Sequence, residues 1–348
     1  MSFDIGGTHI RGRISSDTNG ELQVLASVNA TFDDFADTRI EEVHPIEMVA
    51  RLIKEFEAKT DRDASEIRHA TLAVAGKVDH RRKSAHVVAN MTEISADDAK
   101  EILLENGCKA DVHIVNDFEA AAFGAAAIND STRKLIRGAT RPRAIEKNLK
   151  KILICGPGTG LGVACLVLDL YKAGQHFVMT SEAGHTTFGP ETPAQHEFLD
   201  SETGRRMSYE NVVSGPGLVR LYQWNRRRKA TGPGELYITP KEICNLAVSG
   251  ESVALEAVDM FSHALGAFCG NQVLAFNCDR YVYLWGGVLN GIPDNLLLRP
   301  FSMAYGQRLK YPDAIAAVPV YRVTDSNMAH KGCIVFSKIM LGEQGQED

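Results

Sequence analysis

Residues 1–14 read MSFDIGGTHIRGRI and residues 151–167 read KILICGPGTGLGVACLV. Each stretch carries apolar side chains into a glycine turn that contains Gly-Thr, the second turn about 150 residues after the first. Glycine tolerates positive φ and, with no Cβ, lets backbone N–H groups come close to a phosphate. The hydroxyls of Thr8 and Thr159 add a donor at each tip. Neither turn is a P-loop, because G-x-x-x-x-G-K-[ST] needs a lysine that both lack. Gly156, Gly158, Gly160 and Gly162 are spaced by two, which misses the G-x-G-x-x-G dinucleotide pattern. The H-R-D and D-F-G pair of protein kinases is absent too. Two such turns, each leaving a strand, suggest a phosphate tail gripped from both sides in a cleft between two domains.

Outward from the turns, strands and helices alternate. HATLAVAG (69–76) is a short apolar run ending in glycine, the form of a buried strand. SADDAKEILLENG (95–107) reads as a helix: Ser95 can cap it, Asp97 and Asp98 suit its positive end, and Gly107 stops it. VHIVND (112–117) predicts the next strand and EAAAFGAAAI (119–128) a small-residue helix behind it. Residues 131–150, polar and basic with Pro142, are expected to form an exposed connection. In 253–276 the apolar positions 254, 258, 261, 265 and 268 share one helical face. YVYLWGGVL (281–289) and VPVYRV (318–323) predict two further strands, the first running into a glycine pair. Alternation in both halves argues α/β architecture with covered sheets.

The length of 348 residues suits about two domains. With 44% hydrophobic and 24% charged residues the chain has the composition of a soluble globular protein. A net charge of −6 argues against a nucleic-acid partner. The short basic clusters Arg81-Arg82-Lys83 and Arg226-Arg227-Arg228-Lys229 read as solvated faces. No apolar run approaches the roughly 20 residues of a membrane span, and Asp4 and Arg11 interrupt any signal-peptide core. The seven cysteines (108, 155, 165, 244, 269, 278 and 333) form no C-x-x-C pair, so neither a disulfide framework nor a zinc ribbon is indicated. The expectation is a reduced, cytoplasmic protein whose cysteines act as small hydrophobes.

The ordered set of segments DIGGTH (4–9), AVAG (73–76), VNDF (115–118), GPGTGLGVA (156–164), EAGHTTFGP (182–190), RRMSYENVVSGPGL (205–218) and WGG (285–287) resembles the bacterial glucokinase family, within the actin-like sugar-kinase superfamily. It covers nearly the whole chain. The resemblance implies a duplicated ribonuclease H-like fold of the actin-like ATPases. A small domain (1–127 with 325–348) would carry the first phosphate loop, and a large domain (128–324) the second. It further implies ATP and Mg²⁺ as cofactors, D-glucose as substrate, a homodimer, and no nucleic-acid or membrane partner.

For the chemistry, a hexokinase must take a proton from a sugar hydroxyl as the γ-phosphoryl group arrives in line. Asp117, at the end of an apolar strand, suits that role by position and by resemblance. An ordinary aspartate, with a pKa of about 3.9, is ionised at neutral pH and can accept the proton. The same residue could instead cap the following helix. Glu182 and His185, three apart across a glycine, can aim at one spot, and the resemblance implies that they bind sugar hydroxyls together with Asn116, Asp117 and Glu202. It also implies that Asp4, Ile5, Gly6, Gly7 and Thr8 bind nucleotide from one side and Gly158, Thr159 and Gly160 from the other. Gly286 and Gly287 would lie against the adenosine, and Asp4 would hold Mg²⁺ through water.

The related ROK kinases follow their E-x-G-H segment with a cysteine-rich zinc motif, whereas residues 185–200 here hold no cysteine. Regulators of that group carry a DNA-binding domain before the first loop, where this sequence has three residues. Four departures from the family are visible: only Met1-Ser2-Phe3 precede Asp4 where several apolar residues are usual, Lys77 replaces the proline of A-G-P, residues 89–93 (ANMTE) lack a tryptophan, and 327–332 read NMAHKG rather than NPGLLG. They leave open another hexose as substrate: fructose, mannose or an amino sugar. The rival reading from another class is a non-catalytic sugar-binding regulator, against which the presence of Asp117, Glu182 and His185 speaks.

Overall fold

A computed structural model describes residues 1–6, 9–18, 21–31, 46–79, 81, 83–86, 93–138, 149–169, 176–202, 206–229, 237–307 and 310–344. The chain divides into two units, Met1–Ala127 with Ser326–Asp348, and Ile128–Asp325.

The first unit begins with three antiparallel strands, β1 (Ser2–Ile5), β2 (His9–Thr18) and β3 (Glu21–Thr31). Helix α1 (Glu47–Thr60) follows, and Met48, Val49, Leu52, Ile53 and Phe56 make its buried stripe. It stops at Asp61, a left-handed cap with φ 53° whose N–H donates to the Glu57 carbonyl. β4 (His69–Val74) is buried at every residue, as a strand covered on both faces must be. Three short strands, β5 (Val78–Asp79), β6 (Ser84–His86) and β7 (Glu93–Ser95), make a small antiparallel sheet. α2 (Ala96–Glu105) starts at Ser95, whose hydroxyl accepts from the N–H groups of Asp97 and Asp98. β8 (Asp111–Asn116) leads directly into α3 (Asp117–Ala125). The main sheet runs β3-β2-β1-β4-β8, with β1, β4 and β8 parallel.

The second unit opens with a departure from expectation. Residues 133–137, read above as part of an exposed connection, form the strand β9 (Arg133–Arg137); residues 139–148 of that stretch lie outside the described residues. The basic segment pairs because Arg133 has a place to put its charge. Its guanidinium lies 4.7 Å from the Tyr281 ring centre and 4.4 Å from that of Tyr321, and Nη1 donates to the Tyr283 hydroxyl at 2.8 Å. β10 (Leu149–Pro157), β11 (Leu161–Asp169) and β12 (His176–Ser181) are antiparallel. After them come α4 (Pro193–Ser201), α5 (Gly215–Arg228), α6 (Pro240–Val248), α7 (Ser252–Phe276), β13 (Tyr281–Leu284), α8 (Asp294–Tyr305), α9 (Pro312–Ala316) and β14 (Val320–Val323). α7 is buried along most of its length, including Ala254, Val258, Phe261, Leu265 and Phe268, and is the spine of this core. The sheet runs β12-β11-β10-β13-β14-β9, so its first five strands repeat the order and sense of the first unit.

The last helix, α10 (Met328–Gln344), belongs to the first unit and packs on α3. The two helices touch backbone to backbone. A Cβ on Gly332 would collide with the Ala120 carbonyl oxygen, and one on Gly124 with that of Met328. Met328 and Ala329 are buried beside them, and His330 Nδ1 sits 3.1 Å from the Ser2 hydroxyl, so the altered 327–332 segment is a packed element of this unit.

Candidate active site

In the first unit, β1, β4 and β8 end side by side. Ala75 N–H donates to the Ile5 carbonyl at 2.8 Å, and Asn116 Nδ2 to the Gly76 carbonyl at 2.9 Å. Ligands of open parallel sheets bind at this carboxyl edge. Asp4 faces Arg11 across the β1–β2 hairpin, with Oδ2 3.5 Å from Nη1. Burial pushes the Asp4 carboxyl above its ordinary range, against the opposing pull of Arg11, Arg13 and His9. The hairpin closes through Gly6 N–H to the His9 carbonyl at 2.9 Å. Gly7 and Thr8, expected at its tip, lie outside the described residues.

Asn116, not Asp117, caps α3. Its Oδ1 accepts from Phe118 N–H at 2.9 Å and Glu119 N–H at 3.3 Å, while Glu119 Oε2 accepts from Asn116 N–H at 3.4 Å in a capping box. The amide expected beside the sugar is thus largely engaged in holding the strand-to-helix turn. Asp117 becomes the first helical residue, partly buried, with Oδ1 accepting from Phe118 N–H at 2.9 Å. Its carboxylate stands at the positive end of the α3 dipole.

In the second unit the glycine turn Gly158-Thr159-Gly160 is the tip of the β10–β11 hairpin, closed by Gly158 N–H to the Gly160 carbonyl at 2.8 Å. Thr159 is exposed. Four segments hold the tip. Gly215 N–H, at the start of α5, donates to the Gly158 carbonyl at 2.8 Å. Gly286 lies so close to the Pro157 carbonyl that no Cβ would fit, whereas no atom stands within 4 Å of the Cβ position at Gly287. Gly184, between Glu182 and His185, is pressed on the Leu161 carbonyl in the same way. The fourth is Glu210, whose Oε2 accepts from Leu161 N–H at 2.9 Å and would clash with any side chain at Gly160.

Glu210 also reaches the predicted pair. Its Oε1 is 3.7 Å from His185 Nδ1, and His185 Nε2 is 3.8 Å from Glu182 Oε2. The register comes from Tyr209 N–H to the Thr186 carbonyl at 3.0 Å and Phe188 N–H to the Met207 carbonyl at 2.8 Å, which lay 207–210 along 186–188. Glu182, His185 and the second glycine turn therefore form one cluster with Glu210, a residue the sequence reading passed over. Its signal was present in the quoted RRMSYENVVSGPGL segment, but nothing local marked Glu210 within it. Glu202 is the C-cap residue of α4, and no hydrogen bond or ion pair among the described residues joins its side chain to this cluster. Such converging acceptors and donors suit a polyhydroxylated ligand. A hydrated Mg²⁺, which needs few carboxylates besides phosphate oxygens, is compatible with the one largely buried carboxylate that Asp4 offers.

Against known proteins, residues 1–339 match the family model described as Glucokinase. The glucokinase of Mesorhizobium japonicum is 30% identical, over 96% of this chain and 90% of its own length. Among solved structures, the glucokinase from Balamuthia mandrillaris in complex with glucose superposes with a TM-score of 0.75 at 21% identity, covering 96% of this chain and 92% of that one. A ROK family glucokinase from Streptomyces griseus, in complex with glucose and AMPPNP, gives 0.64 at 18% identity over 95% and 96%. The fold is the actin-like one.

Proposed function

The chain belongs to the glucokinase family, and from that premise we propose that it transfers the γ-phosphoryl group of ATP to D-glucose, giving ADP and D-glucose 6-phosphate. The observation that carries this reading is the seating of Glu182, His185 and Glu210 against the Gly158–Gly160 turn, which ties sugar-type ligands to a phosphate-type turn. Glucose and the ATP analogue AMPPNP in the two solved relatives support the choice of sugar and donor.

In this reading Asp117 takes the proton of the 6-hydroxyl as that oxygen attacks in line, a contribution of roughly 10²–10⁴ in rate. Because Asn116 performs the capping, the Asp117 carboxylate is placed at the strand end without having to close the helix. Glu182 and His185 hold sugar hydroxyls, with Glu210 as the second carboxylate facing His185 and Glu202 as the competing candidate. A site built to pair each hydroxyl rejects analogues lacking one by up to about 10⁴–10⁵. With the N–H groups of Gly6 and Gly158 closing the two hairpins, those of Gly7, Thr8, Thr159 and Gly160 would take the phosphates. The open space over Gly287 leaves room for the adenosine against the backbone. Mg²⁺ would be held by Asp4 through water and would offset phosphate charge when bound. The same family reading makes the enzyme a cytoplasmic homodimer acting at the entry to glycolysis.

The test is an assay of sugar-phosphate formation over a panel of glucose, fructose, mannose and amino sugars, run with ATP, ADP and polyphosphate as donors. Glucose with ATP should give the highest kcat/KM. Another hexose ranking well above glucose would reassign the substrate, and sugar binding without turnover would make the protein a sensor.

A further inference from the structure

Four of the seven cysteines meet in the core of the second unit: Cys155 on β10, Cys165 on β11, Cys269 on α7, and Cys278 between α7 and β13. They form two pairs. Cys155 lies beside Cys269, and the sulfurs of Cys165 and Cys278 are 3.9 Å apart. A disulfide needs about 2.05 Å, so each sulfur of the second pair has to move by roughly 1 Å, within reach of a small χ1 adjustment. The pairs differ in access. Cys155, Cys165 and Cys269 have no exposed surface, while Cys278 is 6% exposed. It follows Asn277, the left-handed cap of α7 at φ 51°, in the short segment that leads into β13.

The electrostatics separate the two sulfurs. The hydrogen bond with Cys165 and burial push the Cys278 thiol well above its ordinary range, which Lys151, whose ammonium donates to the Phe276 carbonyl at 2.8 Å, offsets only in part. The hydrogen bond from Cys278 pulls the Cys165 thiol below its ordinary range in spite of burial. Nothing in the proposed kinase chemistry uses either residue.

We propose that Cys165 and Cys278 are a reversible thiol-oxidation site that takes a peroxide as oxidant and closes a disulfide within the second unit. Cys278, the one of the two with any exposed surface, reacts first: Cys278–SH + H₂O₂ → Cys278–SOH + H₂O. The Cys165 sulfur then attacks the sulfenic sulfur, forming the S–S bond and releasing the oxygen as a second water. Each thiol gives one electron and one proton, and the peroxide takes both pairs. The bond ties the β10–β11 hairpin, which carries the Gly158–Gly160 turn, to the junction of α7 and β13. It spans 113 residues of sequence, a separation at which a cross-link restricts the unfolded chain strongly. The inference stands on core packing and is independent of the kinase reading.

The experiment uses the reduced full-length protein, titrated with hydrogen peroxide, quenched with an alkylating agent and mapped by mass spectrometry without reduction. The expected result is a Cys165–Cys278 linked peptide, an intact mass lower by two hydrogens, full reversal by dithiothreitol, and a raised Tm. Cys278→Ser should abolish the link and leave Cys165 alkylated. If that variant fails to fold, the map of the unaltered protein decides alone. Both residues alkylated at peroxide levels that oxidise surface methionines would overturn the proposal. So would a link through other cysteines, or irreversible sulfinic acid at Cys278.

Discussion

At the first glycine hairpin, Gly6 N–H closes on the His9 carbonyl and the nearest charged pair is Asp4 with Arg11 at 3.5 Å. At the second, the tip is held by the start of α5, by Gly286, by Gly184 and by the Glu210 carboxylate. The strand order around both is the same, three antiparallel strands followed by two parallel ones. They differ in what leaves the fifth strand. β8 runs straight into α3 and delivers Asp117 at the helix start, whereas β14 is followed by α10, which packs in the other unit. Just after β14 the Asp325 carbonyl accepts from Trp285 Nε1 at 3.1 Å, a structural contact where the first unit has the Asp117 carboxylate. In the proposed reading one scaffold serves two tasks: the first unit would present a base, and the second would hold sugar and phosphate.

The largest effect expected from breaking this division is at the α3–α10 contact. Gly332→Val should deprive the first unit of its fold, because a Cβ there meets the Ala120 carbonyl and backbone cannot yield as a side chain can. Soluble yield and the melting curve would show it. Gly287→Ala, in open space in the second unit, should leave Tm unchanged.

Glu210→Gln comes next. Removing a charged acceptor from Leu161 N–H and from His185 should cost about 1.5–3 kcal/mol, roughly ten- to a hundredfold in kcat/KM for glucose. Glu202→Gln should change it far less. The reverse ranking would make Glu202 the sugar ligand and Glu210 a brace.

Acid should weaken the first unit in particular. Burial holds His69 down to about 4, helped by His113, and His330 down to about 3, helped by Arg13 and Arg11. Both stay neutral when folded but take up a proton near 6.5 when unfolded. Their contribution is therefore complete above that value and is lost as pH falls from 6.5 toward 3–4. Denaturant midpoints measured stepwise down this window should fall, with hydrogen-exchange protection in β4 and α10 lost first. A flat profile would mean that these imidazoles are not buried. The smallest effect is shared by both units. Ser95→Ala and Thr239→Ala each remove an N-cap, of α2 and α6, and should cost about 1 kcal/mol without altering substrate constants.

The parallel strands and the long helix could be read from residues alone because burial on both faces demands continuous apolar runs, as in HATLAV of β4 and along α7. α2 was legible for a local reason, a serine followed by two aspartates. β9 was not. A strand of Arg-Lys-Leu-Ile-Arg has the composition of a solvated connection, and only the tyrosine faces of β13 and β14 explain how it pairs. The site divides the same way. Glu182 and His185 announce themselves by spacing. Glu210 joins them only through the pairing of 207–210 with 186–188, and that pairing is a property of the fold. The assignment of the cap to Asn116 rather than Asp117 was equally hidden, since both residues are good caps and only geometry separates them.

The central claim is that the Asp117 carboxylate performs the proton transfer while other groups hold the sugar. Steady-state ADP release and calorimetric glucose binding should be measured together on Asp117→Asn. The account predicts a kcat lower by roughly 10²–10⁴ with glucose affinity changed by no more than about threefold. Turnover close to that of the unaltered enzyme would contradict it.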